Sequence, residues 1–257
     1  MHRFLITPES IKNGIAVIEG DDARHLLQVL RHKTGDRLIV FDGTGLQYEL
    51  QLVSTDRNKA FGRILRKYDP ETETKTKVIL YQGIPKTDKM DFIIQKSVEL
   101  GVFQIIPIIT EYSVLQLKDR NIENRLERWN RISREACKQS GRVAVPEVLK
   151  PIVWKDALNQ WIKMQGTAGE GSYLPVLCYE NESKKCLKDL FICYNIDHVS
   201  KVGIFVGSEG GFSNEELQYA VENGIKPVSL GKRILRAETA AIAVISIIMY
   251  EMGEMRI

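Results

Sequence analysis

Residues 202–213, Val202-Gly203-Ile204-Phe205-Val206-Gly207-Ser208-Glu209-Gly210-Gly211-Phe212-Ser213, decide the fold. An apolar run ends in a glycine-rich turn. The turn ends in Ser213, which with Glu216 makes a capping box for a helix over Ser213–Asn223, closed by Gly224. A strand apolar along its length, such as Val202–Val206, has both faces covered, which points to a parallel sheet between layers of helix. The turn then lies at the carboxyl end of a strand, where open α/β sheets bind ligands, and its glycines allow backbone to approach a ligand closely. The same turn also fits an ordinary strand–helix connection.

The logic recurs at Leu230-Gly231-Lys232-Arg233-Ile234-Leu235-Arg236-Ala237-Glu238-Thr239-Ala240, where a short strand over Lys226–Leu230 leads through a polar loop into an apolar helix over Ala237–Met252. Glu238 and Thr239 fit helix capping, but capping does not account for the whole Arg-Ile-Leu-Arg-Ala-Glu-Thr string. Outward from these loops the pattern predicts strands over Val78–Ile84, Gln104–Thr110 and Leu174–Tyr179. It predicts helices over Asp88–Leu100, stopped by Gly101, and over Asp119–Ser140, ended by Gly141. Trp129, Trp154 and Trp161 are expected as core anchors on helices. The Ala237–Met252 helix is too apolar for a lone surface helix, so it is expected to be buried in the sheet, in a dimer interface, or in both.

The first 70 residues read differently. Arg37–Val40, Tyr48–Val53 and Ala60–Leu65 are short β-prone runs, the first two separated by the turn Asp42-Gly43-Thr44-Gly45. One helix is expected among them, capped by Asp21 or Asp22, with Leu26, Leu27 and Leu30 as its apolar stripe. Short strands with a single helix suggest a small barrel. Asp69–Lys77, DPETETKTK, lacks apolar periodicity and is the best linker candidate. The domains are therefore expected at 1–70 and 74–257.

Composition narrows the function. The chain has 257 residues, is 44% hydrophobic and carries a formal charge of +3, so it affords a sizeable core and hints only weakly at nucleic acid. It has no G-x-S-x-G, H-E-x-x-H or G-x-x-x-x-G-K-[ST] motif. Tyr48 stands where a dinucleotide fingerprint starting at Gly43 needs its last glycine. Three of four histidines lie in the first domain, which argues against a histidine-based hydrolase. Cys137, Cys178, Cys186 and Cys193 make no paired metal spacing, so no metal is expected and reduced thiols are the simple reading. No signal peptide and no apolar run near the ~20 residues of a membrane span are present, so a cytoplasmic protein is expected.

Strand–G-x-E-G-G-[FW]-[ST]-x-x-E followed by L-G-x-R-I-L-R-x-E-T-A resembles the SPOUT-class methyltransferases, and more closely the RsmE-type enzymes, which methylate N3 of one uridine in small-subunit ribosomal RNA. His25-Leu26, Val29-Leu30-Arg31, Gly35-Asp36 and Gly43 match that family's RNA-binding domain. Ser133-Arg134-Glu135-Ala136 and Gln139-Ser140-Gly141-Arg142 match its central motif. One departure is Ser208, where the family usually has proline; it is expected to alter loop stiffness rather than abolish cofactor binding. The resemblance implies an α/β fold: a C-terminal parallel sheet with a deep trefoil knot, an exception to unknotted topology, and a small N-terminal PUA-like β-barrel. It also implies S-adenosylmethionine as cofactor, 16S ribosomal RNA or the small ribosomal subunit as partner, and a homodimer. The competing readings are a SPOUT enzyme acting on another RNA and a non-catalytic ribosomal RNA-binding assembly factor.

On that resemblance, Leu230, Ile234 and Leu235 are expected to hold the adenine through backbone groups, with Gly231, Arg236, Glu238, Thr239 and Ala240 completing that loop. Gly207, Glu209, Gly210 and Gly211 are expected on the ribose and methionine side, with Leu177 and Cys178 completing the wall. Uracil N3 must lose its proton before it is nucleophilic, and the charge then spreads onto two carbonyl oxygens. An arginine aimed there would stabilise it; Arg142 is the first candidate and Arg236 the second. Glu209 or Glu238 is expected to take the proton, provided its pKa is raised. Arg142 alternatively fits a phosphate contact.

Lys118–Arg142 holds eight basic residues, Lys118, Arg120, Arg125, Arg128, Arg131, Arg134, Lys138 and Arg142, against four acidic ones, Asp119, Glu123, Glu127 and Glu135. This suits a phosphate backbone, although the segment alone also fits a solvated helix face with pairs such as Glu127–Arg131. Arg3, Arg24, Arg31, Arg134, Lys138 and Arg142 are the expected RNA contacts, with Arg37 and Arg66 as further possibilities.

Overall fold

A computed structural model describes residues 3–86, 89–113, 121–166, 172–194 and 196–256. It divides into two compact units, Met1–Glu73 with Arg134–Val145, and Thr74–Ser133 with Pro146–Ile257. The expected starts of two helices, at Asp88 and Asp119, lie outside the described residues, as do Lys118 and Arg120 of the basic run.

The first unit holds a six-stranded sheet in the order Arg3–Leu5, Arg37–Phe41, Gln47–Asp56, Lys59–Tyr68, Ile15–Glu19, Ile11–Lys12. Only the first pair is parallel. Period-two alternation buries Leu38, Val40, Leu50 and Leu52 around Phe4, Ile18 and Leu26. The expected helix has a different start. Gly20–Arg24 runs into a π-helical turn, His25–Val29, and the residue before it is Glu19, which makes no side-chain cap. Asp21 and Asp22 lie inside the first turn, where carboxylates complement the helix dipole instead of capping it. Leu26 is buried, with Leu27 and Leu30 packed against the same core.

In the second unit, every strand pair is parallel. Ile152–Val153, Gln104–Ile109, Lys77–Gly83, Lys201–Val206, Tyr173–Cys178 and Pro227–Val228 lie in that order, with Glu147–Val148 pairing beside Gln104–Ile109. On one face Ile79, Tyr81, Ile106, Ile108 and Phe205 pack against Trp154, Leu158 and Trp161 of the helix Trp154–Gly166. Tyr81 stacks on Phe205 with centroids 4.4 Å apart, and Trp161 meets Tyr81 edge-on at 6.4 Å. Gly203 makes room for that indole, since a Cβ there would lie 2.6 Å from Trp161 Cε3. The helix Ala237–Glu251 packs on Lys77–Gly83, on Lys201–Val206 and on the helix Lys89–Glu99. It buries Ala241, Val244, Ile245 and Ile248 and leaves Ile247 and Tyr250 exposed. Trp129, Trp154 and Trp161 are all buried core residues on helices. No helix among the described residues is long and apolar enough to cross a membrane.

The segment expected as a linker is anchored in both units. In the first unit Glu73 accepts hydrogen bonds from Arg142 Nε at 3.1 Å and Nη2 at 2.6 Å, and from the N–H groups of Val143 and Ala144 at 2.8 and 3.1 Å. In the second, the N–H groups of Lys75 and Thr76 donate to the carboxylate of Glu254, and the Thr74 hydroxyl donates to the carbonyl of Gly101. Polar composition does not distinguish a free connector from one held at several points by hydrogen bonds. Burial pushes the Glu73 carboxyl upward, but the hydrogen bonds and charge of Arg142 with the two N–H groups outweigh it and hold the pKa below its ordinary value of 4.5.

A depressed folded pKa contributes stability that is present above the unfolded value and lost as pH falls through the folded one. Glu73→Gln is expected to cost about 2 kcal/mol at pH 7 in urea unfolding. The difference from the wild type should shrink as pH drops below about 4.5; a pH-independent difference would remove the ionised carboxylate from this account.

Candidate functional site

The strands Lys201–Val206 and Tyr173–Cys178 end side by side, and a cavity of about 350 Å³ opens at their carboxyl ends. Glycine shapes its floor. A Cβ on Gly207 would lie 2.8 Å from Gly211 Cα, and Gly211 adopts φ +67°, with its N–H donating to the carbonyl of Ser208 at 3.0 Å. Gly83, at the end of the neighbouring strand Lys77–Gly83, is tighter still, since a Cβ there would lie 2.4 Å from Ser208 N. After the loop, Ser213 and Glu216 form the capping box, with Ser213 N–H donating to Glu216 Oε2 at 2.9 Å and Glu216 N–H to Ser213 Oγ at 3.3 Å. On the other side the Ser229 hydroxyl bonds both the N–H and the carbonyl of Gly231, and Arg236 takes the residue before the final helix.

The structure brings both expected loops to this cavity. Cys178, Gly207, Glu209, Gly211, Leu230, Gly231, Ile234, Leu235, Arg236 and Ala240 line it. Four expected residues lie elsewhere. Leu177 is fully buried in the core under the strand end. Gly210 faces Tyr112, whose Cβ would be 2.5 Å from a side chain at 210. Glu238 and Thr239 lie in the first turn of the final helix, outside the lining. Lys89, Tyr179, Glu180, Ser229 and Arg233 line the cavity without having been anticipated. Arg233 sits inside the loop string itself, whereas Lys89 comes from a distant helix and leaves no local signal.

Lys89 is the electrostatic centre of the cavity. Its Nζ lies 3.4 Å from Glu209 Oε1 and 3.4 Å from Glu238 Oε2. Glu209 also accepts the N–H of Lys86 at 3.1 Å. Burial raises the Glu209 carboxyl, but hydrogen bonds from its own backbone, Lys86 and Lys89 overcome this and leave the pKa below its ordinary value. Such a carboxylate is ionised at neutral pH and is a weaker base than the raised one expected. Glu238 Oε2 is buried and has no hydrogen-bond partner among the described residues, so its contact with Lys89 is ionic only. Burial pushes the Cys178 thiol up to about 12, which keeps it protonated as a wall group.

The other expected residues belong to the first unit. Arg142 is 6% exposed and its guanidinium is engaged by Glu73. Its carbonyl accepts Arg3 Nη2 at 2.9 Å. Lys138 donates to Asp22 at 2.7 Å and Glu135 at 2.9 Å, and Arg24 pairs with Asp21. Arg31 is exposed and Arg134 half-buried. Several of the charges that read as an RNA face are thus held by neighbouring carboxylates.

Comparison with known proteins places these features. Residues 72–249 match the RNA methyltransferase domain family and residues 18–65 the RNA methyltransferase PUA domain family. Ribosomal RNA small subunit methyltransferase E of Bacillus subtilis (strain 168) is 31% identical over 256 residues, covering 98% of this chain and 97% of that protein. The protein of the same description from Mesomycoplasma hyopneumoniae (strain 232) is 34% identical over 94% of this chain and 96% of its own length. The crystal structure of a ribosomal RNA small subunit methyltransferase E from Neisseria gonorrhoeae bound to S-adenosylmethionine superposes with a TM-score of 0.83, at 34% identity and 98% coverage of both chains.

Gly83→Ala forces a methyl group against the backbone of Ser208. Overpacking of this kind costs roughly 1–3 kcal/mol, so the thermal midpoint should fall by about 5 °C. An unchanged midpoint in a calorimetric scan would mean that the loop yields without cost.

Proposed function

We infer the activity of this chain from one premise: it belongs to the ribosomal RNA small subunit methyltransferase E family. On that premise it is an S-adenosylmethionine-dependent methyltransferase acting on 16S RNA of the small ribosomal subunit, with N3 of a uridine as acceptor. The observation that carries the reading is the cavity built from two glycine-bearing loops at adjacent strand ends. Its volume lies within the roughly 300–1,000 Å³ of small-molecule sites, Gly207 and Gly211 present bare backbone to it, and it offers carboxylates to a cationic ligand.

When bound, S-adenosylmethionine supplies a methyl group already activated on its sulfonium, so the protein mainly aligns donor and acceptor. Leu230, Ile234 and Leu235 present backbone to the adenine, and Gly207 and Gly211 admit the ribose and methionine side. Arg236, on the lining, is the better placed of the two arginines to stabilise charge on the uracil carbonyl oxygens. Arg142, whose guanidinium is engaged by Glu73, is instead a brace within the first unit. Glu209, on the lining, is the carboxylate placed to take the proton, and its partners lower its pKa and make it a weak base.

The finer architecture belongs to the same proposal. The last strand, Pro227–Val228, lies outside Tyr173–Cys178, while the following helix returns to the two central strands; this passage supports the trefoil knot. The bulged antiparallel sheet of the first unit supports the small barrel. Domains at 1–70, which Arg134–Val145 joins, and at 74–257 then bind RNA and carry the reaction, respectively. Exposed apolar Ile247 and Tyr250 on a helix whose other face is buried support a homodimer, and a ribosomal RNA modifier of this kind works in the cytoplasm.

Two measurements test the reading. Titration calorimetry should show S-adenosylmethionine binding, whereas a purely RNA-binding factor would give no heat. Ribosomal RNA from cells lacking the protein should lose one N3-methyluridine by nucleoside mass mapping; an unchanged map would overturn the assignment. Arg236→Ala should lower kcat about 100-fold, the scale of one lost charge-stabilising donor.

A further inference from the structure

The wall of the cavity carries an arrangement, reaching behind the lining to Glu238, that alignment of donor and acceptor does not require. One ammonium, Lys89 Nζ, stands 3.4 Å from a carboxylate oxygen of each of Glu209 and Glu238. The three side chains are 29%, 27% and 16% exposed, so the cluster is partly withdrawn from water and its charges act over longer range than surface pairs. Lys89 and Glu209 face the cavity directly. Two carboxylates against one ammonium leave a local excess of one negative charge. The other charged groups on the lining, Glu180, Arg233 and Arg236, are all exposed, where solvent screens them more strongly.

The reaction changes the charge of the molecule in this cavity. The methyl donor carries a sulfonium. Once the methyl group has left, its two S–C bonding electrons stay on sulfur, and the product is a neutral thioether of almost the same shape. Shape complementarity therefore separates donor from product weakly, and an electrostatic device separates them well. We propose that Glu209, Lys89 and Glu238 form a charge-discriminating triad, in which the two carboxylates favour the cationic donor over the thioether product and Lys89 limits that preference. The inference rests on the methyltransferase reading of the same cavity. It makes Lys89 a specificity-determining residue for which donor alignment gives no reason.

The triad has a signature that a structural role lacks. A residue that merely shapes the cavity changes the affinity of donor and product together, because the two share every atom except the methyl group. A residue that acts by charge changes their ratio, and the direction follows the sign of the charge removed. Lys89→Met deletes a positive charge and should raise the preference for S-adenosylmethionine over S-adenosylhomocysteine about tenfold, the scale of one unit charge acting over roughly 10 Å at a partly buried site. Glu209→Gln deletes a negative charge and should lower the preference by a similar factor. Lys89→Arg should keep the wild-type ratio.

The experiment is titration calorimetry of both ligands against the full chain and the three variants. Opposite shifts of the ratio in Lys89→Met and Glu209→Gln support the triad. A ratio unmoved in both variants, or moved in the same direction in both, overturns it. If Lys89→Met does not fold, the sign of the shift in Glu209→Gln decides. A wild-type chain that binds both ligands with an unresponsive ratio refutes the triad alone. A wild-type chain that binds neither refutes the methyltransferase reading and the triad with it.

Discussion

The constraint on which the site depends is the distance between two backbones. At the ends of two adjacent strands, Gly83, Gly207 and, in the loop that follows, Gly211 bring main chain to main chain so closely that any side chain at 83 or 207 would overlap the neighbour's backbone. This contact fixes where the glycine loop turns, and the loop in turn sets the floor of the cavity. The capping box at Ser213 and Glu216 then starts the next helix in a single direction. Because protein interiors are packed to near-crystalline density, an added methyl group at such a point displaces structure rather than filling space. The cavity is therefore a consequence of sheet packing, and it exists before any ligand arrives.

Charge in this chain is organised inward. Glu73 collects Arg142 and two backbone N–H groups, Lys138 collects Asp22 and Glu135, and Lys89 collects Glu209 and Glu238. A partly buried ion with its partner in place is tolerated, whereas a lone one is costly. These groups accordingly come as sets drawn from distant parts of the chain. An arginine fully engaged by a carboxylate is a brace, and the same residue type on a cavity wall is available to a substrate. Arg142 and Arg236 show the two cases.

Much of the fold was legible because its causes are local. Apolar strands such as Val78–Ile84 and Val202–Val206, helical spacing of Met90, Ile93, Ile94 and Val98, and stops at Gly101 and Gly224 depend on residues a few positions apart. The two- and three-residue strands of the first unit were not legible, since they are too short to show a period. The bounds of the helix Trp154–Gly166 were not legible, although its tryptophans read as helical core anchors, and the helix Leu187–Cys193 was missed. The helix start assigned to Asp21 or Asp22 failed for a related reason. Aspartate suits both the cap and the first turn, and sequence does not separate the two.

The sequence by itself determined the alternation of strands and helices, the glycines that let strand ends meet, and the two loops that line the cavity. Each of these follows from chain-neighbour sterics and hydrogen bonding. Only the tertiary structure decided which charges reach the cavity. Lys89 pairs with Glu209 across 120 residues of chain, Leu177 turns into the core instead of the wall, and Arg142 is braced by a glutamate in what reads as a linker. Ion pairing and burial depend on which distant surfaces pack together, and residue spacing along the chain carries almost no trace of that.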